Sequence, residues 1–200
     1  VPQPSLATPA ALDRYREELT PLAERYGAAP GQTHPDDDAW DAKIDVVADT
    51  APEMASFTFG CPSAETLARL RKRGVLTAVT VTSLDEAVIA VGAGADALVV
   101  QGPEAGGHRG TFDPGRRPGE EPLDSLLSAV CATHEVPVIA AGGLTSAGDV
   151  RRALGHGARA AQAGTALLLA DEAGTNPVHR QALTDPQFTH TVVTCAFSGR

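Results

Sequence analysis

His108 is the residue around which chemistry can be built, because an imidazole takes up and returns a proton near neutral pH. It stands near the end of a glycine-rich run, Val99-Val-Gln-Gly-Pro-Glu-Ala-Gly-Gly-His108-Arg-Gly110, in which an apolar strand gives way to a loop. Gly106 and Gly107 leave space for a substrate against the ring. Two later segments repeat the pattern of strand then glycine, Pro137-Val-Ile-Ala-Ala-Gly-Gly143 and Ala160-Ala-Gln-Ala-Gly-Thr165. Main-chain N–H groups at Gly142, Gly143, Gly164 and Thr165 can hold phosphate oxygens, since glycine removes the side chain that blocks approach. Thr145, at the start of the helix that follows Gly143, gives that turn the form of a phosphate loop. Only one of the three strand ends carries a titratable ring, so the set predicts a phosphate or cofactor cradle beside a catalytic base.

Gln101, the last residue of its strand, can present its amide to a planar heteroaromatic ligand. The bland alternative for His108 is a surface histidine; the neighbouring Glu104 and Arg109 and the long flanking loop favour a functional one. Glu104 is equally suited to pairing with Arg109 and is left unassigned. Cys61, in Phe57-Thr-Phe-Gly-Cys-Pro62, also sits at a strand end, but with no histidine in the same loop it reads as a small apolar residue rather than a nucleophile.

The elements that must position these groups follow from residue 54 onward, where short β-rich runs alternate with helical patterns, as in βα units on a parallel sheet. Strands are predicted at Met54 to Phe59, Val75 to Val81, Ala97 to Gln101, Val136 to Ala140 and Ala160 to Gln162. Their starts lie about 20 residues apart, and one gap of about 40 holds the His108 loop. Ser83-Leu-Asp-Glu86 has capping-box spacing. Gly74, Gly92-Ala-Gly94 and Gly155-His-Gly157 are suited to closing helices, and Gly92-Ala-Gly-Ala-Asp-Ala97 is nearly copied at Gly155-His-Gly-Ala-Arg-Ala160. The first fifty residues instead read as a helical segment: Thr8-Pro9 starts a polar helix that Pro21 divides and Gly27 stops. Asp36-Asp-Asp38 leads into a second helix with Trp40, Ile44 and Val47 on one face, and no metal site is predicted at this triplet. His34 is a loop residue without an evident partner.

With 200 residues and 42% hydrophobic content, the chain can bury a substantial core in one domain. A net charge of −9 without clustered cations argues against nucleic acid as a partner. Arg69-Leu-Arg-Lys-Arg73 is the one dense basic run, and at a helix C-terminus it suits the macrodipole. Cys61, Cys131 and Cys195 are far apart and form no paired motif, which fits a reducing cytoplasm. No long apolar span or leader pattern is present, so no membrane partner is expected. The oligomeric state is left open, a homo-oligomer included.

Taken in order, Gln101-Gly-Pro-Glu-Ala-Gly-Gly-His108, Pro137 to Gly143 and Gln162-Ala-Gly-Thr165 resemble the nitronate monooxygenase family, once called 2-nitropropane dioxygenases. The resemblance extends through Phe57 to Pro62, Thr80-Val-Thr82, Phe188-Thr-His190 and Phe197-Ser-Gly199, and so covers nearly the whole chain. It implies an α/β fold of (β/α)₈ TIM-barrel type, here with about five of the eight parallel strands. It also implies an FMN cofactor and the oxidation of alkyl nitronates or nitroalkanes with O₂ to a carbonyl compound and nitrite. By motif match, Gln101 and Gly106 would contact the flavin. Gly142, Gly143, Gln162, Ala163, Gly164 and Thr165 would hold it around its ribityl phosphate, and His108 would be the active-site base.

On this resemblance, residues 1–200 are a single, partial FMN-binding barrel domain whose first fifty residues precede the strand–helix repeats. Val1 resembles a point just after the family's third strand, and Arg200 a point before its C-terminal segment. A flavin-contacting Met or nearby backbone and an Asn lie upstream in the family; Asn176, the only Asn here, cannot take that place. Two alternatives stand beside this reading. One is a flavin-dependent enoyl-acyl-carrier-protein reductase with the same barrel and glycine loops, and the other a non-catalytic, truncated barrel remnant.

Overall fold

The computed structural model describes residues 1–2, 7–32, 37–188 and 192–194. His34, Asp36, Cys195, the Thr189-His190 pair and the Phe197 to Gly199 motif lie outside the described residues. Five parallel strands form one sheet in chain order: β1 (Met54–Phe57), β2 (Leu76–Val81), β3 (Ala97–Gln101), β4 (Val138–Ala141) and β5 (Ala160–Gln162). A doubly wound sheet reverses its strand order at a switch point, whereas a barrel adds each new strand on the same side. The sheet never reverses. It is an arc of five successive strands of a (β/α)₈-type barrel. Among the described residues, the outer edges of β1 and β5 pair with no further strand.

Right-handed crossovers repeated in one direction place the intervening helices on one face. These are α3 (Ala64–Lys72), α4 (Leu84–Ala93), α5 (Leu123–Thr133) and α6 (Ala147–Gly155). Strand alternation then divides the core. Val79, Val81, Leu98, Val100, Val138 and Ala140 pack with Leu126, Leu127 and Val130 under the helices. Ala78, Ala97, Val99 and Ala141 form a separate inner cluster on the opposite face, where a barrel has its lumen. Each fully buried Leu or Val contributes roughly 1.5–3 kcal/mol by leaving water.

The repeated helix-to-strand turn is real: Gly94 and Gly157 both take left-handed φ, 99° and 103°. Ala95 then donates to Ala90 and Ala158 to Ala153, closing each helix with the same reverse turn. At the strands' N-terminal pole the Asp96 carboxylate accepts from the Thr77 N–H at 2.9 Å, from the Thr77 hydroxyl at 2.7 Å and from Arg71 at 2.8 Å. The basic run serves such internal ties, with Arg69 on Asp45 and Arg73 on the Ala48 carbonyl.

The first fifty residues form α1 (Pro9–Arg25) and α2 (Trp40–Thr50). Thr8 caps α1 as expected, but Pro21 does not divide it. Proline removes one donor and crowds the carbonyl four residues back, but the helix runs on through it to Arg25. No residue of α1 is buried, whereas Ile44 and Ala48 of α2 pack with Phe57, Leu67 and Leu70. Asp37 and Asp38 serve the entry turn, Asp37 accepting from Ala39 and Asp38 pairing with Lys43. No helix among the described residues is long and apolar enough to cross a membrane.

Candidate functional site

Because all five strands run the same way, the three glycine motifs emerge at one pole of the sheet. The β3–α5 loop lies across the ends of β4 and β5 there. A Cβ on Gly142 would stand 3.1 Å from the Ala105 nitrogen, one on Gly143 2.7 Å from Glu104 Cβ, and one on Gly106 2.8 Å from Thr165 Oγ1. These glycines are therefore required first by the close approach of the loop, and the loop in turn joins all three motifs. Gly164 is different: nothing lies within 4 Å of a Cβ built there.

Residues 106–111 adopt neither helix nor strand, and side chains from the sheet hold them. The Gln101 Nε2 donates to the His108 carbonyl at 3.0 Å, and its Oε1 accepts from the Gly110 N–H at 2.8 Å. Arg109 donates to the Gly102 carbonyl and, at 3.3 Å, to that of Gly119. Its half-burial draws the guanidinium below its ordinary pKa, opposed by the charges of Glu104 and Glu86. Glu104 acts on Arg109 only through its charge, with no ion pair between them among the described residues. Its carboxylate instead accepts from the Leu123 N–H at 3.1 Å, capping α5 where Pro122 offers no side chain to do so.

The expected capping box turns out differently. Ser83 accepts from the Glu86 N–H as predicted, but the Glu86 carboxylate reaches past Ser83 to the Thr82 N–H at 2.6 Å and the Thr82 hydroxyl at 2.8 Å. Its second oxygen accepts from the Phe112 N–H at 2.7 Å, tying the long loop to β2. The complete capping box is instead Ser146 with Asp149. Asp149 also takes the Thr145 N–H and hydroxyl, each at 3.2 Å, so Thr145 is not available to a phosphate. Arg152, Ser146 and Thr145 together hold the Asp149 carboxyl far below the usual carboxylate range.

Within this frame the His108 side chain is exposed and meets Phe59 edge to face, with ring centroids 5.7 Å apart. Phe59 follows β1 and takes φ of 64°, a left-handed conformation that bulky residues rarely adopt. Beneath the loop, Thr58 and Thr80 pair their hydroxyls at 3.2 Å, and their methyl groups pack against Gly110. A cavity of about 1000 Å³ opens beside His108, lined by Phe59, Gly106, Arg109 and the Pro114 to Glu120 stretch among others. The Gly142–Gly143 turn and Gln162 to Thr165 do not line it. Gly106, which lines the cavity and packs on Thr165, joins it to the glycine cradle.

Cys61 donates its Sγ–H to the Pro62 carbonyl at 3.3 Å, and burial pushes its thiol up, both in keeping with a small apolar residue rather than a nucleophile. Asn176 caps the last helix, α7 (Pro177–Ala182), through Val178 at 2.9 Å. From sequence, Phe59 reads with Phe57 as a core or ligand-wall residue, Glu86 as a helix cap, and Glu104 is unassigned; that Glu86 and Glu104 hold the long loop is legible only in the fold.

The model of the nitronate monooxygenase family matches residues 1–200. A nitronate monooxygenase from Paraburkholderia phytofirmans is 38% identical over 99% of this chain and 55% of its own length, and one from Pseudomonas aeruginosa 35% identical over 99% and 58%. The chain therefore spans about half the length of the curated relatives it matches. Among solved structures, nitroalkane oxidase from Streptomyces ansochromogenes superposes with a TM-score of 0.86 at 43% identity, over all of this chain and 58% of that one. FabK from Thermotoga maritima superposes with a TM-score of 0.68 at 26% identity, over 96% of this chain and 58% of that one. With the match running from the first residue to the last and the family's ordered motifs gathered at one barrel pole, the chain belongs to the nitronate monooxygenase family.

Proposed function

We propose that the protein this chain represents is an FMN-dependent oxidoreductase that oxidises alkyl nitronates, and nitroalkanes after deprotonation, with O₂ to a carbonyl compound and nitrite. The observation that carries this reading is the placement of His108. Its titratable ring stands at this pole, set against Phe59 on a loop that also packs on both glycine motifs.

The residues present fit a phosphate-bearing cofactor. Among the described residues, the N–H groups of Gly143, Leu144, Gly164 and Thr165 donate to no protein acceptor, and the space at Gly164 is open. Gly142, Gly143 and the Gln162, Ala163, Gly164, Thr165 segment would hold the phosphate, and Gln101 and Gly106 would meet the flavin edge. When bound, FMN supplies the electron-accepting ring.

The chain's own groups do the rest. His108 takes the α-proton of a neutral nitroalkane on a ring nitrogen, and the T-shaped contact with Phe59 limits how the imidazole turns. A preformed nitronate has already lost that proton and needs the base less. Two free thiols, Cys61 and Cys131, support a reducing cytoplasm as the compartment.

The visible spectrum of the purified protein tests this reading. With FMN added, a flavin band that bleaches under anaerobic conditions on adding ethyl nitronate is expected. Reduction by NADH with an enoyl thioester, and none by nitronate, would favour the reductase. A chain that takes up no FMN would favour the remnant.

A further inference from the structure

The tripeptide His108-Arg109-Gly110 is bound to the end of β3 by reciprocal contacts. The Gln101 amide donates to the His108 carbonyl at 3.0 Å and accepts from the Gly110 N–H at 2.8 Å. In return, Arg109 donates to the main-chain carbonyls of Gln101, at 3.4 Å, and of Gly102. The next main-chain anchor of the loop is at Phe112, on Glu86. Between Gly106 and Gly110 three of the five residues are glycine, so this stretch has more conformational freedom to lose than an ordinary loop.

We propose that Gln101 is a positioning residue whose amide fixes the main chain on both sides of Arg109 and so sets where the His108 ring stands. The inference rests on His108 acting as the base. A primary amide is the side chain suited to this place, because it offers a donor and an acceptor in one plane. A carboxylate could receive the Gly110 N–H but would repel the His108 carbonyl, and an aliphatic side chain could do neither. The second Nε2 hydrogen remains for another acceptor, so positioning does not compete with a contact to a bound ring.

The test compares Gln101→Leu, Gln101→Glu and His108→Asn by two readouts. One is amide hydrogen exchange at Gly110 in flavin-free protein, with Val79 and Val100 as reporters of the intact sheet. The other is turnover of nitroethane relative to ethyl nitronate in FMN-loaded protein. In Gln101→Leu, protection at Gly110 is expected to fall about tenfold, and the nitroethane-to-nitronate ratio by a similar factor. Val79 and Val100 should stay protected. In Gln101→Glu the carboxylate still receives the Gly110 N–H, so protection there should hold at neutral pH while the nitroethane-to-nitronate ratio falls, because the His108 carbonyl has lost its donor.

Unchanged protection at Gly110 in Gln101→Leu overturns the proposal, and a loss of FMN affinity beside it would make Gln101 a flavin contact only. If His108→Asn leaves the substrate ratio unchanged while Gln101→Leu frees Gly110, the clamp stands and the base assignment fails.

Discussion

Gly106 and Thr165 touch: a Cβ added to the glycine would lie 2.8 Å from the threonine hydroxyl oxygen. This contact joins the histidine loop after β3 to the cradle after β5, so a change at either residue is felt at both. Gly106→Ala is expected to weaken FMN binding about tenfold, the scale of a mild overpacking strain. In the double variant with Thr165→Ala the nearest remaining atom is Thr165 Cβ at 3.5 Å, an ordinary contact. Fluorescence titration should therefore give the double variant the affinity of Thr165→Ala alone, and an additive loss would show that the contact is not the cause.

His108→Asn separates proton removal from everything else the site does. Turnover of neutral nitroalkanes is expected to fall about 100-fold, and that of preformed nitronates by less than about threefold. Steady-state rates with nitroethane and ethyl nitronate at one pH decide it. Equal losses would remove the base role.

Asp96 predicts a pH dependence of stability at the opposite pole. Partial burial pushes its carboxyl up, but the Thr77 hydroxyl and N–H and then Arg71 outweigh this, leaving it below its ordinary value. A folded-state pKa below the unfolded one gives stability that is complete above about pH 4 and is lost as pH falls through the folded value. Asp96→Ala should cost about 2 kcal/mol at pH 7, since it strands the fully buried Thr77 donors. Urea midpoints between pH 7 and pH 3 should show a shallower acid slope for the variant than for the native chain.

Cys61 should be dispensable. With the thiol pushed up by burial and its hydrogen donated to Pro62, alkylation by iodoacetamide at pH 7 is expected to be slower than that of free cysteine. Cys61→Ala should keep nitronate turnover within about twofold, the effect of trimming a small half-buried group. A variant with no activity and normal FMN content would restore the nucleophile reading.

Much of the frame was legible in residue order. β3 and β5 run as the apolar spacing predicted. β1 stops at Phe57 rather than Phe59, because Phe59 turns into left-handed φ and leaves the ladder. Gly94 and Gly157 close their helices as the repeated segment implied. These features are local: alternation, caps and turns act over a few residues and leave their mark in a short window.

The site's construction was not local. Nothing near Gln101 in the chain announces that its amide clamps residues 108 and 110, and nothing near Glu86 announces that it receives Phe112. Glu104 was visible as a charge near Arg109, but its role as the cap of α5 depends on where a distant helix begins. Thr145 looked like a phosphate donor until Asp149 was seen to occupy it. The sequence by itself determined that three glycine-bearing strand ends and one histidine belong to a parallel α/β chain of this family. Only the tertiary structure decided which side chains hold the histidine in place, because a hydrogen bond between residues far apart in the chain depends on parallel packing that brings their strand ends to one pole.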